Sequence, residues 1–115
     1  METLTIVNGR TMKTILRIAL RSQLFPEYIR ARLRCLHDGI AEGKDIRFPV
    51  TEGDVLLIHS AVVFARKASD ALQCDHPLDK RYRQAHQTLA CVEEELVAQI
   101  QLLWPHLTDR LFGSK

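Results

Sequence analysis

Three cysteines in 115 residues cannot all pair within one chain, and Cys35, Cys74 and Cys91 stand too far apart for a disulfide framework. That excludes the small disulfide-stapled secreted folds and fits a reducing cytoplasm. The chain also lacks the uninterrupted apolar core of a signal peptide, because Lys13, Arg17 and Arg21 break up its first apolar segment. No run approaches the roughly 18 uncharged apolar residues that a membrane-spanning helix requires. The expectation is a cytoplasmic protein with no membrane association. Internal repeats and low-complexity tracts are absent as well.

What is present describes one globular domain. Hydrophobic residues make up 46% of the chain and charged residues 26%, and a chain of this length buries roughly two-thirds of its unfolded surface, enough to fold without staples. The formal charge of +2 is small. Its distribution is uneven: residues 1–50 hold nine Lys/Arg against five Asp/Glu, a net +4, and residues 51–115 hold seven against nine, a net −2.

Prolines and glycines divide the chain. Leu4 to Val7 favours an extended conformation before Asn8-Gly9, and an extended lead-in is the preferred reading, with an edge strand or hairpin arm as the alternative. Thr11 is the expected N-cap for a helix over residues 11–24 whose apolar face is Ile15, Leu16, Ala19 and Leu20. Pro26 suits the first turn of a second helix over 27–42, with Ile29, Leu33, Leu36 and Ile40 as a narrow stripe and Gly43 as its stop. Lys44 to Val50 cannot continue that helix, since Pro49 holds Phe48 extended, and it reads as a loop. Thr51 and Asp54 have the spacing of a capping box and start a third helix over 52–73. After a turn at Cys74–Pro77, a fourth helix over 78–104 shows one apolar face: Tyr82, Ala85, Leu89, Val92, Leu96, Ile100 and Leu103. Pro105 ends or kinks it, and residues 107–112 add a short turn. These elements predict an all-α, four-helix-bundle-like domain with a short extended N-terminal segment.

The third helix is apolar on two sides. Leu57, Ile58, Ala61, Val62, Phe64, Ala65, Ala68, Ala71 and Leu72 fill one broad face, while Leu56 and Val63 lie together on the other, among His59, Arg66 and Asp70. Either this helix is central, flanked on both sides, or Leu56 and Val63 meet a second protein. On the second reading, the partner-binding residues are Phe48, Leu56, His59, Val63, Arg66 and Asp70, and a two-fold homodimer is the expected assembly. Arg66 and Asp70 then form a polar rim; a solvated ion pair is their simpler account.

Arg10, Lys13, Arg17 and Arg21 form a basic stripe on the first helix, which offers phosphate contacts and makes nucleic-acid binding the alternative function. No zinc-finger spacing or aromatic RNA-binding motif accompanies it. Cys35-Leu-His37 and Cys74-Asp-His76 repeat a Cys-x-His pattern, but residues two apart on a helix point about 200° from each other and do not share a metal. Buried cysteines and surface histidines are expected instead. His86, Leu89, Ala90 and Cys91 depart from the phosphorylated-histidine motif of histidine phosphotransfer bundles, in which Leu follows His by two residues and precedes Lys-Gly. No metal, cofactor or catalytic residue is therefore assigned. The expected function is binding: a small regulatory module, homodimeric, which acts as an inhibitor or antiactivator by occupying the surface of another protein such as a transcription regulator.

Overall fold

The computed structural model describes residues 2–112. Its elements are β1 (Glu2–Asn8), α1 (Gly9–Arg21), α2 (Glu27–Gly39), β2 (Lys44–Val50), α3 (Glu52–Asp75), α4 (Lys80–Leu103) and α5 (Pro105–Phe112). The protein is thus mostly helical but not all-α, and not a four-helix bundle. The segment read as a loop, Lys44–Val50, is a strand, and with the N-terminal segment it forms a two-stranded antiparallel sheet.

The sheet register runs from Glu2 opposite Val50 to Asn8 opposite Lys44. Alternation along both strands sends Leu4, Ile6 and Val50 into the core, with Ile46 and Phe48 half-buried against it. Pro49 is tolerated because it stands opposite Thr3, in the set of positions whose N–H groups face away from the partner strand. Phe48, expected as an exposed loop residue, lies opposite Leu4, and its ring packs where Gly39 has no side chain.

The turn from β1 into α1 is tight. Asn8, not Thr11, is the N-cap: its side chain accepts from the Thr11 N–H at 3.1 Å. Gly9 donates its N–H to the Gly43 carbonyl at 2.7 Å, and a Cβ on it would stand 1.9 Å from the Ala41 oxygen. Gly43 therefore receives the chain at this junction. It does not end α2, which closes earlier with Ile40 as C-cap.

Helix α3 begins where expected. Thr51 Oγ1 accepts from the Asp54 N–H and the Asp54 carboxylate accepts from the Thr51 N–H, a complete capping box. Val55, Ile58, Ala61, Val62 and Ala65 are buried, and α1, α2 and the sheet cover this side. Phe25, in the α1–α2 connection, meets Phe64 edge-on with ring centroids 5.8 Å apart. Beyond Phe64, α3 continues for about 16 Å at 1.5 Å per residue, with Ser69 its last buried residue.

Helix α4 returns antiparallel along the other side of α3. It starts at Lys80, two residues later than the spacing predicts, and is capped by Asp79, whose carboxylate accepts from the Arg81 N–H. Leu89, Leu96 and Ile100 are its buried residues, so the one-sided pattern holds from Leu89 onward and its first two turns bury nothing. Trp104 and Leu107 close the core where Pro105 starts α5.

Candidate interaction sites

Glu52, Leu56, His59, Val63, Arg66 and Asp70 recur at alternating steps of four and three residues, the spacing of a helix-packing seam. In this fold α4 and α5 lie along it. Glu52 Oε2 meets His106 Nε2 at 2.6 Å, Arg66 Nε meets Glu93 Oε1 at 2.8 Å, and Asp70 Oδ1 meets His86 Nδ1 at 2.6 Å. Leu56 packs against the core, Val63 is half-buried and His59 is buried. The α4 and α5 helices thus lie along the seam within the chain, α3 is flanked on both sides, and Leu56 and Val63 stay half-buried there. Arg66 and Asp70 are not a free rim, and Phe48 belongs to the sheet on the other side of the core. Burial pushes the His59 imidazole below its ordinary pKa, with the nearby Glu93 carboxylate partly opposing the shift.

The basic stripe is also engaged within the chain. Lys13 Nζ donates to the carbonyls of His37 and Ile40, both at 2.9 Å, satisfying acceptors that the end of α2 leaves open. Arg17 Nη2 lies 3.5 Å from His37 Nε2, and Arg10 Nε lies 3.9 Å from Glu42. Arg21 remains exposed in the last turn of α1. Arg32 makes two 2.8 Å hydrogen bonds to the buried Asp54 carboxylate, and this contact holds that carboxyl below the usual carboxylate range.

The cysteines reverse the expected pattern, since Cys35, Cys74 and Cys91 are all exposed. Cys74 sits in the last turn of α3 rather than in a turn between helices. Among the described residues no group of three His, Cys, Asp or Glu side chains is placed to hold a metal ion. No described helix is long and apolar enough to cross a membrane.

Two surfaces were missed by sequence reasoning. The first is an apolar strip. The broad face of α3 is covered only as far as the α1–α2 connection reaches; past Phe64, Ala68 is half-buried and Ala71 and Leu72 are exposed. Leu24 and Tyr28, 77% and 75% exposed, flank Phe25 beside this face, and Leu78, 90% exposed, sits in the turn that closes the α3–α4 hairpin. The signal was available in Ala71 and Leu72, which were assigned to a core face longer than any neighbour can cover.

The second is a groove of about 270 Å³ between β1, the start of α1, and α4. Ile6, Val7, Met12, Val92 and Leu96 supply its apolar wall, and Glu95 is its one charged lining residue. The Gln99 carboxamide bridges one end, accepting from the Thr5 N–H at 2.8 Å and donating to the Thr5 carbonyl at 2.7 Å.

Fold and surfaces together define a small, mostly helical protein with a two-stranded sheet, a projecting helical hairpin, an exposed apolar strip and a groove beside β1. The chain matches no protein-family model, no curated protein and no solved structure.

Proposed function

We propose that this protein is a non-enzymatic interaction module that self-associates through the apolar strip at the projecting end of α3. The single observation that carries this reading is the group of exposed side chains, Leu72 and Leu78 on the hairpin with Leu24 and Tyr28 beside it, which gathers four of the seven large hydrophobics exposed among the described residues. A second copy is the fitting occupant. Lys67 and Asp75 are exposed and stand four residues either side of Ala71. When two α3 helices cross antiparallel about Ala71, each Lys67 faces the other copy's Asp75, and the small Ala68 and Ala71 allow close approach. The contact is self-complementary in shape and charge.

The finer role we assign to the dimer is regulatory: it acts as an inhibitor or antiactivator by occupying the surface of another protein, such as a transcription regulator. Nucleic-acid binding through Arg10, Lys13, Arg17 and Arg21 has weaker support, because Lys13 and Arg17 are engaged on α2. Light scattering tests the reading. Leu72→Glu is expected to halve the solution mass while leaving the helical signal unchanged, because Leu72 is outside the core; an unchanged mass refutes it.

A further inference from the structure

The sheet has an open edge, and the chain itself marks what fits there. Thr5 turns its N–H and carbonyl away from β2, toward Gln99. By strand alternation, Val7, which also lines the groove, presents its backbone groups to the same side. The two hydrogen bonds between the Gln99 carboxamide and Thr5 are the pair that the backbone of an adjacent strand would make. One side-chain amide thus stands where a peptide group belongs, and the edge continues past it beside an apolar wall. The volume of about 270 Å³ lies just under the range of common ligand sites, roughly 300–1,000 Å³. Glu95 gives the lining a single negative charge.

We propose that the groove between β1 and α4 binds an extended peptide segment bearing a basic side chain, which adds to β1 as a third strand and displaces the Gln99 carboxamide. Backbone hydrogen bonds to Thr5 and Val7 supply the pairing. The apolar wall receives alternate side chains, and Glu95 selects for the cation. The site is distinct from the strip on α3, so binding here does not depend on self-association there.

Cys91 lines the groove, whereas Cys35 on α2 and Cys74 at the end of α3 do not, and all three thiols are exposed. Alkylation by iodoacetamide, resolved by mass spectrometry, therefore reports occupancy and carries its own controls. The probe is an acetylated, amidated octapeptide of alternating valine and threonine with one central lysine. At saturation it slows modification of Cys91 at least about fivefold, and Cys35 and Cys74 react as before. Gln99→Ala removes the internal competitor and tightens binding by about tenfold, the worth of one to two neutral hydrogen bonds. Val7→Pro removes an outward N–H without touching a β1–β2 bond and weakens binding. A version of the probe with alternate backbone nitrogens methylated does not bind. The proposal is overturned if Cys91 stays unprotected at about 1 mM probe in both the wild type and Gln99→Ala. Equal binding of the methylated probe overturns it too, as does a weaker Gln99→Ala complex.

Discussion

Asp54 holds α3 in two ways. Its carboxylate completes the capping box that starts α3, and it receives two hydrogen bonds from Arg32, which fasten α2 to that helix. Asp54→Ala removes all of these. A capping residue contributes about 1 kcal/mol. A charge-assisted pair to a buried carboxylate contributes about 1.5–3 kcal/mol, discounted here because the Arg32 side chain is half exposed. The expected loss is about 2–3 kcal/mol, or about 8–12 °C in Tm for a domain of this size. Arg32→Met is expected to cost at least as much, since it leaves the buried carboxylate without its cation. Urea denaturation followed by circular dichroism reads these losses as a lower midpoint at constant slope. The pH dependence gives a second check. The fold holds Asp54 ionised below the ordinary carboxylate range, so its contribution is complete above the unfolded pKa of about 3.9 and is lost as pH falls through the lower folded value. The gap between wild type and Asp54→Ala therefore stays flat near neutrality and closes in acid. A gap under about 0.5 kcal/mol at pH 7, or one that widens on acidification, refutes the reasoning.

Gly9→Ala is expected to destabilise by about 1–3 kcal/mol, because the new methyl group meets the Ala41 carbonyl oxygen and the backbone must move; thermal melting reads the loss. Lys13→Met leaves the His37 and Ile40 carbonyls without their cation and costs about 1–2 kcal/mol by urea titration, while retention on heparin stays unchanged. His59 is held neutral by burial, so its unfolded form takes up a proton first as pH drops; stability at this site is present above about pH 6.5 and is lost as pH falls through that value toward the lower folded one. His59→Phe therefore gains stability relative to the wild type between pH 7.5 and about 5.5, as paired thermal melts at each pH will show.

The helices were legible because their signals are local. Thr51 and Asp54 marked the start of α3, and the apolar repeat from Leu89 to Leu103 marked the buried side of α4. The sheet was hidden for a physical reason: Leu4 pairs with Phe48 across more than forty residues, and Pro49 reads as a strand breaker unless its N–H is known to face away from the partner. Likewise, the spacing of Leu56, His59, Val63, Arg66 and Asp70 announced a second packing seam on α3, but nothing local said that α4 would fill it. Arg66 looked like an interface rim only while Glu93 was absent from view. The uncovered strip depended on where α1 ends relative to Leu72. The groove depended on Thr5 meeting Gln99, 94 residues away.

Self-association through α3 is tested most directly by sedimentation equilibrium on a charge-swap series at Lys67 and Asp75. The wild type is expected at twice the 13.2 kDa chain mass. Lys67→Asp or Asp75→Lys alone shifts the equilibrium toward the single chain, because like charges then face each other across the two-fold. The double variant Lys67→Asp/Asp75→Lys returns to the wild-type mass. A wild-type mass of one chain at about 100 μM, or a double variant no more dimeric than the single ones, contradicts the proposed dimer.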